Sequence, residues 1–175
     1  MTTMLTEKPA TATQRWTIDH GASTVDFAVK TFWGLLTVRG WFDRYDGYYQ
    51  VGPNGTEIEL TIEADSLDTD NPMRDTHLRA EDFFHVVLHP QVRFRSTRVS
   101  ELGDGLLRID GTLAVTGTTV PVQLDATLER IGDDLQIEGT TEVDQRQFGM
   151  SDGQLGMIRR PATLHVKALL RREGR

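Results

Sequence analysis

Three histidines lie close together in the sequence, at His77, His85 and His89. Three imidazoles are one known set of ligands for a catalytic zinc ion. His85 and His89 would share one face of a helix, but the β-branched residues between them and the following Pro90 disfavour helical geometry there. The alternative is two surface histidines and one histidine hydrogen-bonded to its neighbours. We therefore expect no metal site.

A second group of polar residues surrounds a short predicted helix. Histidine beside carboxylates is a common acid–base pair, whereas ion-pair networks that hold a loop in place have the same composition. No nucleophile with an activating base accompanies the group. We expect Arg74, Asp75 and His77 to brace the helix, and we assign no catalytic residue. The whole group is Arg74, Asp75, His77, Arg79, Glu81 and Asp82.

Composition excludes several other kinds of site. The 175 residues include no cysteine, which excludes disulfides, thiolate nucleophiles, iron–sulfur clusters and cysteine-based zinc sites. The sequence has no phosphate-binding P-loop, no nucleophile-elbow motif and no dinucleotide-binding glycine motif after a strand. A net charge of -7, from 19 basic and 26 acidic residues, disfavours binding to nucleic acid. We expect no cofactor and no nucleic-acid partner.

Hydropathy gives no sign of a membrane protein. No run of about 20 apolar residues occurs, so we expect no membrane span. Residues 1–15 lack the apolar core of a signal peptide. We therefore expect a cytoplasmic protein, with residues 1–15 as a flexible arm, residues 16–172 as one domain and residues 173–175 as a tail.

Alternation of apolar and polar residues predicts an all-β domain. In residues 57–64, Ile58, Leu60, Ile62 and Ala64 alternate with glutamate and threonine, as in a half-buried strand. Residues 38–51 are predicted as one strand with bends at its glycines. About eight strands joined by short turns favour a closed antiparallel barrel, wide enough for packed side chains or one small ligand. The predicted strands lie at residues 25–29, 38–51, 57–64, 92–97, 107–115, 120–129, 135–143 and 164–170.

Two long connections interrupt this pattern, at residues 66–90 and 145–161. The first contains a short predicted helix, with Asn71 as its cap, Pro72 in the first position and residues 73–79 following. Apolar residues in both connections either plug the barrel ends or line a ligand cavity. A further alternative is a homodimer through exposed Trp33, Leu35 and Leu36.

Several motifs in order along the chain resemble those of the YceI-like polyisoprenoid-binding family. The most specific is TDNPMRDTHLR at residues 69–79. The departures, His85 in place of an acidic residue and Ala114 in place of threonine, leave the fold unaffected. The other matching motifs are WTID at 16–19, STVDF at 23–27, VRGWF at 38–42, GTLAVTGTTVPV at 111–122 and FGM at 148–150.

The resemblance implies a lipocalin-like barrel of eight antiparallel strands with an apolar channel. It implies that the apolar residues of the two connections line a ligand cavity and do not plug the barrel ends. It also implies a non-enzymatic carrier or storage protein for a polyisoprenoid or an isoprenoid quinone. The alternative is an enzyme or stress-response factor that acts on a small amphiphile through Arg74, Asp75 and His77. Residues predicted to line the ligand space are Phe27, Val29, Phe42, Ile58, Leu60, Ile62, Phe83, Phe84, Phe94, Leu107, Ile109, Val122, Leu124, Phe148, Met150 and Met157.

Overall fold

The computed structural model describes residues 12–31, 36–150 and 161–174. Within these residues it contains eleven β-strand segments and one α-helix. The elements are β1 Gln14–Ile18, β2 Thr24–Thr31, β3 Leu36–Phe42, β4 Tyr45–Gly52, β5 Gly55–Glu63, β6 Leu67–Asp68, α1 Pro72–Arg79, β7 Gln91–Gly103, β8 Leu106–Val115, β9 Thr118–Ile131, β10 Asp134–Val143 and β11 Ala162–Arg172.

The sheet closes on itself because β1 pairs with two strands. It is hydrogen-bonded to β4 on one side and to β11 on the other, and both pairings are antiparallel. The ring is β1, β4, β5, β7, β8, β9, β10 and β11. The protein is therefore a closed antiparallel barrel of eight strands, which confirms the predicted fold class.

The segments β2, β3 and β6 extend the same wall beyond this ring. β2 pairs with β11 and with β3, and β3 pairs with β6. Residues 38–51 were predicted as one strand, but they are divided between β3 and β4. The division comes from Ser66, whose backbone oxygen accepts from Asp43 N at 3.1 Å and whose hydroxyl accepts from Arg44 N at 3.0 Å.

The two glycines of that segment serve close packing and not bends. A Cβ atom on Gly40 would lie 2.6 Å from the ring of Phe27, and one on Gly47 would lie 2.5 Å from the backbone oxygen of Glu59. Real Cβ atoms do not approach other atoms so closely. The absence of a side chain thus allows neighbouring chains to approach at these positions.

Trp16 seals one end of the barrel, which we call the closed end. It is 2% exposed, its indole nitrogen donates to the backbone oxygen of Asp133 at 2.8 Å, and its ring meets Tyr49 edge-on at 5.9 Å. The strand β1 that holds it includes Gln14 and Arg15, which were predicted to belong to a flexible arm. They are ordered by pairing with β4.

The opposite end, which we call the helix end, lies beside α1 and the chain that follows it. The helix forms as predicted: the Asn71 side chain accepts from Arg74 N, Pro72 occupies the first helical position and the helix ends at Arg79. After it, Phe84 meets Phe42 edge-on at 6.0 Å. In the part of the chain that the structure describes, no helix has the length and apolar character needed to cross a membrane.

His165 links three strands on the outer face of the barrel. It lies on β11, with Nδ1 2.9 Å from a carboxylate oxygen of Asp26 on β2 and Nε2 2.9 Å from a carboxylate oxygen of Glu138 on β10. An imidazolium donates through both ring nitrogens. Hydrogen bonds to Asp26 and Glu138 accordingly raise the pKa of His165.

We expect the barrel to lose stability as the pH rises above about 6.5, the ordinary pKa of a histidine. The folded pKa of His165 lies above the unfolded value. Its contribution, up to about 1 kcal/mol for a partly exposed pair, is complete below the unfolded pKa and is lost above the folded one. His165→Gln should remove this part of the pH dependence in urea unfolding. His77→Gln, a change at an exposed histidine, is the control, and equal pH profiles for all three proteins would contradict the assignment.

Candidate ligand-binding site

The middle of the barrel is hollow. A cavity of about 130 Å³ lies between the strands, and we call it the central cavity. A cavity needs only about 10–15 Å³ on this scale to hold one water molecule, so the inward side chains leave substantial unfilled space. Its wall is formed mainly by apolar side chains, Ile18, Val25, Phe42, Tyr49, Ile58, Leu60, Ile62, Phe94, Ile109, Leu113, Val122, Leu124, Ala126, Ile137, Leu164, Val166, Ala168 and Leu170.

A second cavity of about 100 Å³ lies at the helix end, and we call it the end cavity. Phe42 and Leu164 line both cavities. The two spaces are therefore neighbours on either side of these side chains. The wall of the end cavity consists of Phe27, Val29, Phe42, Leu78, Phe83, Phe84, Val115, Val143, Gln145, Phe148, Met150, Ala162 and Leu164.

Three polar residues of the central wall have their polar groups bound outside the lumen, and a fourth, Thr141, donates to the Gln123 backbone oxygen at 3.2 Å. Asp26, Tyr48 and Glu59 belong to the wall, but alternation along their strands directs their side chains outward. The Asp26 carboxylate contacts His165. The Glu59 carboxylate accepts from Arg95 at 2.8 Å and from the Tyr48 hydroxyl at 3.3 Å. The lumen itself therefore presents apolar atoms, and it favours an apolar occupant.

The structure divides the predicted lining residues between the two cavities. Leu107 lines neither cavity: it is 2% exposed and packs in the core around Trp16 and Tyr49. Met157 lies outside the described residues. The central cavity receives Phe42, Ile58, Leu60, Ile62, Phe94, Ile109, Val122 and Leu124, and the end cavity receives Phe27, Val29, Phe42, Phe83, Phe84, Phe148 and Met150.

Sequence reasoning missed the contribution of β11 to the lumen. Leu164, Val166, Ala168 and Leu170 all line the central cavity. The alternation of these residues predicted the strand, but the sequence analysis did not predict that this strand pairs with β10, β1 and β2. Because a closed ring directs every inward side chain into one space, that alternation was the available signal.

The polar cluster beside α1 braces the junction between β6 and the helix. Arg74 donates to the Thr69 hydroxyl at 2.8 Å and to the Thr69 backbone oxygen at 2.7 Å. The buried Asp75 carboxylate accepts from Thr69 N at 3.0 Å and from its hydroxyl. Arg79 donates to the backbone oxygen of Leu67 at 2.6 Å. These contacts occupy the side chains of Arg74 and Asp75, two of the three acid–base candidates.

The histidines take no part in that network. His77 was expected to brace the helix, but its side chain is exposed. The His85 and His89 rings meet edge-on at 5.8 Å. Among residues 12–31, 36–150 and 161–174, no three metal-ligating side chains form a group that would hold a metal ion.

The proposed dimer surface is only partly within the described residues. Leu36 is 55% exposed at the start of β3. Trp33 and Leu35 lie outside the described residues. The homodimer therefore stays a prediction.

Comparison with known proteins identifies the family. A model of the YceI-like domain matches residues 16–169. The chain belongs to the YceI-like family. A UPF0312 protein of Pectobacterium atrosepticum is 34% identical over 161 residues, covering 86% of this chain and 79% of that protein. Protein YceI of Salmonella arizonae is 40% identical over 104 residues, covering 58% of this chain and 54% of that protein.

Solved structures show the same fold as this YceI-like chain. Burkholderia cenocepacia BcnA superposes with a TM-score of 0.79 at 17% identity, covering 87% of this chain and 98% of that chain. A polyisoprenoid-binding domain from Saccharophagus degradans superposes with a TM-score of 0.73 at 14% identity, covering 94% and 99% of the two chains. The eight-stranded barrel is thus shared by proteins with little sequence identity to this one.

We expect Arg74→Ala to lower the melting temperature without weakening ligand binding. The substitution removes two hydrogen bonds to Thr69 from a charged donor, a loss of about 1–3 kcal/mol. Calorimetry would measure it beside Arg44→Ala, which removes an exposed ion pair with Asp65 and should cost less than about 1 kcal/mol. An unchanged melting temperature with lost binding would show that the bracing role is wrong.

Two leucines should distinguish the packed core from the cavity wall. Leu107→Ala should cost about 2–5 kcal/mol because it opens a new void beside Trp16. Leu60→Ala should cost less, since that side chain already borders empty space and loses fewer contacts. Urea unfolding of both variants measures the difference. A Leu60→Ala loss equal to or larger than that of Leu107→Ala would mean that the lumen is packed.

Proposed function

We propose that the protein binds and carries or stores a long-chain apolar or amphiphilic molecule, a polyisoprenoid or an isoprenoid quinone, without chemical conversion. The observation that supports this most directly is the apolar lumen, in which the central and end cavities meet at Phe42 and Leu164. The closed end is sealed by Trp16. A chain-like molecule would enter at the helix end and extend toward Trp16.

The energetics favour such a ligand. Burial of each CH₂ group contributes about 0.8 kcal/mol, so a tail of about 25 carbons has a large gross driving force. The net affinity is smaller because the tail loses conformational freedom. Strands of about nine residues rise about 30 Å, and barrel tilt shortens this to about 20 Å along the axis. A lumen of that length would enclose several isoprene units.

The relatives support the ligand class. The Saccharophagus degradans neighbour is described as a polyisoprenoid-binding domain. At 14% identity that likeness concerns the fold, and its ligand enters here as support for the proposal.

The absence of conversion is also part of the proposal. Of the three candidates for acid–base chemistry, Arg74 and Asp75 are bound to Thr69 and His77 is exposed, and none of them lines a cavity. The acidic residues of the central wall, Asp26 and Glu59, are paired outside the lumen with His165 and Arg95. A carrier needs no acid or base group at its ligand, whereas an enzyme that acts on an amphiphile would.

Extraction of the purified protein tests the proposal. We expect organic solvent to release a long-chain isoprenoid at close to one molecule per protein, detected by mass spectrometry. Turnover of an added isoprenoid phosphate or ester by protein that yields no bound lipid would support the enzyme instead and contradict the proposal.

A lumen-filling variant serves as the matched test. Val166→Trp would place a large ring in the central cavity and should abolish lipid recovery. Lys167→Trp adds the same ring at the next, exposed position of β11 and should leave recovery unchanged. Circular dichroism would establish that both variants fold, and equal lipid recovery from both would place the lipid outside the lumen.

A further inference from the structure

One polar side chain, that of Gln145, lies in the wall of the end cavity. Gln145 begins the turn Gln145–Phe148 that follows β10. Among the described residues, its amide nitrogen Nε2 is buried without a hydrogen-bond partner, and the other side chains of this wall are apolar. The end cavity is therefore bordered by a residue with an unused amide donor in otherwise apolar surroundings.

Such an arrangement is costly to a folded protein. A buried donor without a partner is destabilising compared with one that is hydrogen-bonded, and native proteins contain few of them. An apolar side chain of similar size would avoid this cost. A ligand atom that accepts a hydrogen bond would also remove it.

The turn does not need this amide for its own structure. The Asp144 carboxylate accepts from Arg146 N at 3.0 Å, and the Thr116 hydroxyl donates to the Phe148 backbone oxygen at 2.5 Å. Gly149 ends the turn in the left-handed region, at a φ of 71°. These contacts fix the backbone on both sides of Gln145, so its side chain is available for another role.

Within the part of the chain that the structure describes, the other buried side-chain polar atom without a hydrogen bond is Nε of Arg15. Its guanidinium group has other partners: NH1 donates to Gln50 at 3.4 Å, and the group lies 3.8 Å from the centre of the Tyr48 ring. Arg15 lines neither cavity. Gln145 therefore differs from Arg15, because Gln145 lines the end cavity.

We propose that Gln145 binds the polar head group of the lipid and so fixes which end of the molecule faces the helix end. This inference rests on the proposed function, and it adds a residue that contacts the head group of the ligand. The amide donates through nitrogen and accepts through oxygen, which suits a hydroxyl or a carbonyl group. The tail then extends past Phe42 and Leu164 toward Trp16.

The charge of the wall narrows the class of head group. No lysine, arginine or histidine of the described residues lines either cavity. Among the described residues, a phosphate or diphosphate buried beside Gln145 would find no cation, and burial of an unpaired charge is strongly unfavourable. The described wall therefore favours the uncharged head group of a prenol or a quinone over that of an isoprenoid phosphate.

Phytol and phytane provide the test, because they share a branched tail and phytol adds a hydroxyl group. Binding is measured by displacement of the fluorescent probe retinol. The unmodified protein should bind phytol about tenfold more tightly than phytane, and Gln145→Leu should remove that difference. Affinity for phytane should stay the same or rise, as should resistance to urea. Phytyl phosphate should bind more weakly than phytol to the unmodified protein.

Gln147→Leu is the matched control, because Gln147 is an exposed residue of the same turn and should keep the preference for phytol. A preference that survives Gln145→Leu, or an equal loss of phytol and phytane binding in that variant, would overturn the role of Gln145. If neither phytol nor phytane displaced retinol from the unmodified protein, the proposed function would fail together with this inference.

Discussion

Closure of the sheet is the constraint on which the rest of the structure depends. Because β1 is hydrogen-bonded to both β4 and β11, every second side chain of eight strands points into one shared space. Small residues occupy part of the inner wall, at Ala126, Gly139 and Ala168. The remaining aliphatic side chains do not reach across the lumen, and Trp16 closes one end. A hollow interior that is closed at the Trp16 end follows from that geometry.

The same closure separates two chemical environments. Outward positions of the strands bear the ion pairs, such as Arg108 with Asp125 at 2.8 Å and His165 between Asp26 and Glu138. Inward positions bear apolar side chains that would otherwise face water. The wall is held together from outside, and the lumen therefore needs no polar network that a ligand would have to displace. In the proposed function, recognition of a long tail would depend on shape and burial, with the turn after β10 supplying a polar contact.

Much of the fold was predictable from the sequence because alternation is a local property. The pattern of Ile58, Leu60 and Ile62 identifies β5, and Asn71 with Pro72 identifies the start of α1. The break at Asp43 and Arg44 was not predictable, since it depends on contacts with the distant residue Ser66. Leu107 and Ile109 face the same side of β8, yet only Ile109 borders the cavity. That difference comes from Trp16 and Tyr49, whose positions are set by the closed ring and not by local sequence.

The central claim is that the lumen accepts an apolar chain in place of its own side chains. A crystal structure of the protein with bound phytol tests this most directly. The account predicts continuous electron density for one chain from the helix end, past Phe42 and Leu164, toward Trp16, with the barrel strands unmoved. A lumen filled by inward side chains, with phytol bound on the outer surface, would contradict it.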